Sequence, residues 1–357
     1  MTIIEPLARV GHSPLVRIDT PVPQPHPGYF AKIESLGFGG LKARSALSML
    51  VGARRRGELR DGARIVESTS GTLGVGLAYV AQPLGHPVTL VVDRELEPPM
   101  RNLLRALGAT LEIVERPHPT GGWQQARLDA LHRLLAEHED AYWPNQYDNP
   151  DNAAGYHGLA DEIVANLAAH GIEQAEVLVC SVGTGGHSSG VGDRLRQVWP
   201  DLRIIGVDAL GSTIFGQPAT HRVMRGLGSS VHPGNVRYEM FDEVHWVGPR
   251  EAVHACRGLA RGGFHTGGWS TGAAATVAGW AAARWAGTVV TIFPDGPDRY
   301  LRTIFDDDWC HRHRLLDPPR ASPHEIDDCH DPTACWTRCQ TVRSPHQITD
   351  SAEVSAV

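Results

Sequence analysis

Four glycine- and serine-rich loops, at 37–42, 69–74, 183–190 and 267–272, stand where apolar runs of strand length meet helix-periodic segments. YFAKIE (29–34) leads to Gly39-Gly40 and a helix whose Ala46, Leu50 and Ala53 share a face. ARIVES (63–68) leads to TSGTLG and the apolar VGLAYVAQPL, and VLVCSV (177–182) leads to GTGGHSSG and a helix running to about Trp199. GGWSTG opens AAATVAGWAAARWA, ahead of GTVVTIFPDG. Several runs are near-continuous rather than alternating, as parallel strands covered on both faces require. Right-handed crossovers gather the loops of such a sheet at its carboxyl edge, where open α/β folds bind ligands. The expected fold class is therefore α/β, with the polar stretch WPNQYDNPDN (143–152) crossing between two lobes and one small ligand held by all four loops.

The net charge of −7 leaves no basic footprint for nucleic acid and no polybasic anchor. No stretch approaches the ~18 consecutive apolar residues of a membrane span, and MTIIEPLARV lacks the basic and apolar regions of a secretion signal. A cytoplasmic location is expected. Six cysteines in 357 residues form no disulfide framework, although Cys329, Cys335 and Cys339 crowd one segment with His324 and His330. Their C-x5-C-x3-C spacing is no standard zinc pattern, and periodicity fades from about His313, so 313–357 reads as a flexible tail without a metal.

Lys32 and Lys42 are the only lysines among 33 Lys and Arg residues. A lysine kept between a glycine pair and a helix start is a candidate for chemistry that needs a deprotonated amine, which arginine cannot provide. GTGGHSSG follows a strand and precedes a helix, so its amides can cradle a phosphate. Asp208, ending the next strand, leaves a nicotinamide site on 177–208 open, but Ser188 stands where the dinucleotide fingerprint needs glycine. A P-loop is excluded because no Lys-Ser/Thr follows the glycines. One lysine, one phosphate cradle and a small cleft suggest pyridoxal 5'-phosphate, with Ser270 in GGWSTGAA placed to meet the ring nitrogen.

From about Val10 to Leu301 the chain resembles the cysteine synthase and cystathionine β-synthase family of pyridoxal-phosphate enzymes, fold type II. GHSPLVRI, GGLKAR, ESTSGTLGVGLAYVA, NQYDNPDN, SVGTGGHSSGV, RGLGSS, GGWSTGAA and FPDGPDRYL occur in the family's order. The resemblance implies Lys42 as the cofactor-binding and catalytic lysine. It implies Thr69, Ser70, Gly71, Thr72 and Leu73 as the substrate-carboxylate loop, with Thr72 also at the cofactor. Gln146 and Gly228 are implied at the substrate, Gly183, Thr184, Gly185, Gly186 and His187 around the phosphate, and Ser270 beneath the pyridine nitrogen. His187 is also readable as a loop-surface residue. Lys32 is expected to be a strand residue with its tip in solvent.

The same resemblance implies two lobes, 35–145 and 1–34 with 146–312, holding the cofactor between them in a homodimer. It implies β-replacement: an O-activated L-serine loses its β-substituent to give an enzyme-bound aminoacrylate, and sulfide or another nucleophile adds. β-Elimination releasing sulfide, pyruvate and ammonia is the alternative. A nicotinamide oxidoreductase and a non-catalytic partner protein are more distant ones. Two departures stand out: Thr72 replaces the family's asparagine, and Ala43 replaces the aspartate after the lysine.

Overall fold

The apolar runs become buried strands in two sheets. The computed structural model describes residues 7–19, 27–69 and 71–345. Its strands are β1 (Leu15–Ile18), β2 (Tyr29–Ile33), β3 (Ile65–Ser68), β4 (Val88–Asp93), β5 (Thr110–Val114), β6 (Val177–Ser181), β7 (Arg203–Ala209), β8 (Glu243–Val247), β9 (Val289–Phe293), β10 (His324–Ile326) and β11 (Thr337–Cys339). Helices α1 (Leu41–Arg56), α2 (Thr72–Ala81), α3 (Pro98–Ala106), α4 (Gly122–Glu137) and α5 (Pro150–Ala154) precede β6. Helices α6 (His157–Ala169), α7 (Gly186–Val198), α8 (Pro249–Arg261), α9 (Trp269–Ala282) and α10 (Asp307–Arg312) complete the set.

The larger sheet has the order β1-β2-β9-β6-β7-β8-β11-β10, and β2 to β8 within it are mutually parallel. The smaller is a parallel β3-β4-β5 sheet. Leu73 and Leu77 of α2 pack with Leu50 of α1 and Leu90 on one face of it; Ala130 and Leu131 of α4 cover Val66 and Val91 on the other.

In the larger sheet, β2, β9 and β6 are neighbours, which sets the site. The loop after β2 starts α1, the loop after β6 starts α7, and α9, running back before β9, begins at the same carboxyl edge. Helix α9 is buried along its whole length, which its small residues permit: a Cβ on Gly272 would come 2.7 Å from Cys256 Sγ of α8.

Two expectations are corrected. Residues 324–339 are not a flexible tail, because β11 pairs antiparallel with β8 (Thr337 with Trp246, Cys339 with Val244) and β10 lies parallel beside it. Trp336 is fully buried and its indole donates to His245 Nδ1 at 3.0 Å. The segment supplies ladder partners and an apolar cover that β8 would otherwise lack. Residues 346–357 lie outside the described ones. Lys32, in turn, has no solvent-exposed tip: its ammonium bonds Ser13 O (2.5 Å) and Asn166 Oδ1 (2.9 Å) and pairs with Glu162 at 2.8 Å. A buried ammonium needs such partners.

Candidate active site

Lys42 is the second residue of α1, and Gly39 and Gly40 ahead of it take positive φ (70° and 67°), a turn that glycine makes at little cost. Among the described residues no hydrogen bond or ion pair engages its ammonium, and burial pushes it down to about 8. A half-buried, desolvated amine with no partner among the described residues is what imine formation requires.

The loop after β6 supplies an anion cradle. Gly185 has φ 82° and would bring a Cβ within 2.6 Å of the Asn235 carbonyl carbon; a Cβ on Gly186 would strike the Asn152 amide. No backbone bond takes the amides of Thr184, Gly185 or Gly186 among the described residues, so these donors at the positive end of α7 are open to an anion. His187 lies in the first turn. It is buried, with its ring edge-on to Tyr156 and Nε2 3.5 Å from Ser181 Oγ, so the surface reading of this residue is excluded. Burial, then the nearby Lys42 charge, pushes it down to about 3. The imidazole is neutral and sits close to the lysine.

Gly228 donates its amide to Val182 O (2.9 Å), just before this cradle, and its positive φ and the nearness of Ser212 Cβ (2.7 Å from a built Cβ) again demand glycine. Ser270 is the second residue of α9, and its hydroxyl has no partner among the described residues. It is free to accept or donate one bond to a ring nitrogen.

The β3–α2 loop is held by its own side chains. Thr69 Oγ1 accepts the Gly71 amide (3.0 Å), and Gly71, at φ 134°, has Arg299 Nη1 3.2 Å from a built Cβ. Thr72 begins α2, half-buried, with no hydroxyl partner among the described residues. Ser70 lies outside the described residues. Leu73 is a partial correction: its side chain is in the core with Leu77 and Leu90, because the helix turns its apolar face there, and only its backbone amide is left for a ligand. Gln146 reaches the loop through Nε2 to Ser68 O (2.8 Å).

Three residues here had no role assigned from the sequence. Asn152 bonds Gln146 O (2.6 Å) and packs on Gly186, joining the crossing segment to the phosphate cradle. Arg299 lies beside Gly71 and pairs with Glu97 at 3.2 Å. Glu67 is fully buried, and burial raises it to about 7 despite bonds from Ser68, Gln146 and Trp143. The position of Asn152 in NQYDNPDN and of Arg299 in FPDGPDRYL was the available signal. Asp208, by contrast, is wholly buried with Oδ1 on the Ala209 amide (2.7 Å), and offers no ribose contact.

The donor set fits pyridoxal 5'-phosphate: a partnerless lysine, open amides for a phosphate, and an open hydroxyl for a pyridine nitrogen. Bound there, the cofactor supplies an electron sink for carbanion chemistry at an amino acid. Fold and site together define an enzyme of the fold type II pyridoxal-phosphate class. The pyridoxal-phosphate dependent enzyme family model matches residues 7–295, and the chain belongs to that family. It is 36% identical over 310 residues to N-(2-amino-2-carboxyethyl)-L-glutamate synthase of Cupriavidus metallidurans, covering 85% of this chain and 90% of the relative. Among solved structures, O-acetylserine dependent cystathionine β-synthase from Helicobacter pylori is 29% identical with a TM-score of 0.76, covering 85% of this chain and 99% of that one. O-ureido-L-serine synthase is 28% identical with a TM-score of 0.77, covering 88% and 96%. The enzyme thus acts at Cβ of an amino acid, by β-replacement on an activated serine, and the oxidoreductase reading falls away. Among the described residues no helix is long and apolar enough to cross a membrane.

Proposed function

We propose that this enzyme replaces the β-substituent of an O-activated L-serine with the amine of a second amino acid, L-glutamate foremost. The observation that carries the reading is the 36% identity, along 85% of the chain, to a synthase whose named product joins a three-carbon amino-acid unit to the glutamate nitrogen. The site suits it. The 69–73 loop and Gln146 orient the carboxylate of the serine, and Lys42 takes the proton from its Cα. Arg299, paired with Glu97 at 3.2 Å, brings a guanidinium to the edge of the loop. Sulfide as the nucleophile is the runner-up.

A homodimer working in the cytoplasm accompanies this reading. The family resemblance supports the dimer, and six cysteines that are all free in the structure suit a reducing compartment. The test is purified holoenzyme given O-phospho- or O-acetyl-L-serine with L-glutamate or with sulfide, products identified by mass. Formation of the glutamate adduct at a higher kcat/KM than cysteine is the expected result. Cysteine alone would discard the amine reading, and no product from any activated serine would discard β-replacement itself.

A further inference from the structure

Beyond the cleft, the C-terminal strands bring together donors that their spacing in the sequence does not suggest. Asp328, Cys329 and His330 begin two residues beyond the end of β10, and one ligand atom from each lies within 4.8 Å of the others. His330 Nδ1 is 3.6 Å from Cys329 Sγ and 2.7 Å from Asp328 Oδ1. Two ligands at zinc–sulfur and zinc–nitrogen bond lengths in a tetrahedron are separated by about 3.6 Å, so thiol and imidazole already stand at ligating distance. The carboxylate would move outward by roughly half an ångström.

The surroundings fix these groups. The other face of the imidazole is set by Gly216 (φ 92°), where a built Cβ would come 2.6 Å from Nε2, which turns Nδ1 toward the thiol and the carboxylate. Gln217, the next residue, donates to Cys329 O (2.5 Å) and Asp331 O (2.8 Å) and accepts from Thr333 Oγ1 (3.1 Å). Cys339, opposite Ile326 on β11, is buried like Cys329, and its thiol reaches Asp327 O at 3.7 Å, beside the cluster. Cys335 is only half-buried and makes no such approach.

We propose that Asp328, Cys329 and His330 bind one zinc-class divalent ion that fixes the connection between β10 and β11. A thiolate, an imidazole and a carboxylate suit zinc better than the hard cations, which prefer oxygen alone. Binding displaces the thiol proton of Cys329, and water completes the tetrahedron around the three protein ligands. The ion would stiffen the segment that Gln217 already holds through Cys329 O and Asp331 O.

The experiment uses full-length holoenzyme washed with chelator and titrated with zinc chloride alone, metal per chain being read by elemental analysis and melting temperature in parallel. One zinc per chain and a raised melting temperature are expected. Cys329→Ser and His330→Ala should each weaken binding at least about tenfold and remove the thermal shift, whereas Cys335→Ser should match the wild type. Cobalt in place of zinc should give thiolate-ligated tetrahedral bands beyond the cofactor's own absorption, lost in Cys329→Ser. Should that variant fail to fold, the exposed Asp328→Asn reads the same binding. Substoichiometric zinc, binding unchanged in both Cys329→Ser and His330→Ala, or a Cys329–Cys339 disulfide found by mass in protein prepared without reductant would overturn the proposal.

Discussion

Arg44 grips Glu34 through two parallel hydrogen bonds, Nε to Oε2 at 2.7 Å and Nη2 to Oε1 at 3.0 Å, two residues beyond the lysine of the site. The same guanidinium bonds both oxygens of Glu162 (2.8 and 2.9 Å), and Glu162 also pairs with Lys32. Both members of the Arg44–Glu34 pair are buried, so α1 is fastened to the end of β2 by charges that have no access to water. Removing one partner leaves the other buried and alone. Arg44→Ala should therefore cost about 3–5 kcal/mol of stability, with Glu34→Gln costing less. Urea unfolding of the holoenzyme measures it; a loss under about 1 kcal/mol for Arg44→Ala would mean that α1 is held by apolar packing instead.

With Lys42 as the imine-forming residue, as the family resemblance implies, its titration should set the pH dependence of cofactor capture. Its neutral amine is the nucleophile, and burial lowers the group to about 8 from the ordinary 10.5. Below about 8 the reactive fraction falls roughly tenfold per pH unit; above it the fraction is constant. The rate at which apoenzyme captures pyridoxal phosphate, followed by absorbance, should rise from pH 6 and level off near 8. A rate still climbing tenfold per unit between pH 9 and 10 would show an unshifted lysine. Lys42→Ala should hold no covalent cofactor at any pH.

His187 is neutral above about pH 3, and as a phosphate ligand, the role the family resemblance assigns it, it would act as a hydrogen-bond donor. His187→Ala should weaken the apoenzyme's affinity for pyridoxal phosphate by about tenfold, the order of one hydrogen bond to a charged group. Pyridoxal, which lacks the phosphate, should bind both proteins alike. Equal weakening toward the two ligands would place His187 as packing against Tyr156 rather than as a phosphate ligand.

The sequence showed best what depends on the backbone. Gly185, Gly186 and Gly228 announce the cleft because close approach or positive φ excludes side chains there, and the apolar runs announce a buried parallel sheet. Contacts between distant residues stayed hidden. Nothing near Lys32 in the chain foretells Glu162, so an amphipathic strand end looked like a solvated tip. Leu73 sits in a polar loop motif, yet the first turn of α2 sends it to the core. At three residues each, β10 and β11 are too short to show a period of two, and a fold-stabilising segment passed for a tail.

Thr72 is the departure nearest the chemistry, and its side chain stands half-buried at the first position of α2 with no partner among the described residues. A hydroxyl there offers a ligand one donor, where an asparagine would offer donor and acceptor together. Lys42, the cradle at 183–187 and Ser270 lie on other elements, so Thr72→Asn should leave cofactor binding intact. The grip on the substrate should change instead, shifting the ratio of β-replacement product to pyruvate. One neutral hydrogen bond is worth about 0.5–1.5 kcal/mol net, so the shift should be roughly tenfold at most. Ser270→Asp acts differently: a carboxylate at the ring nitrogen would keep it protonated and should depress replacement and elimination together. Both products are quantified by mass in one reaction. If Thr72→Asn lost the cofactor, or left the product ratio and KM for the activated serine unchanged, the β3–α2 loop would not be the substrate loop.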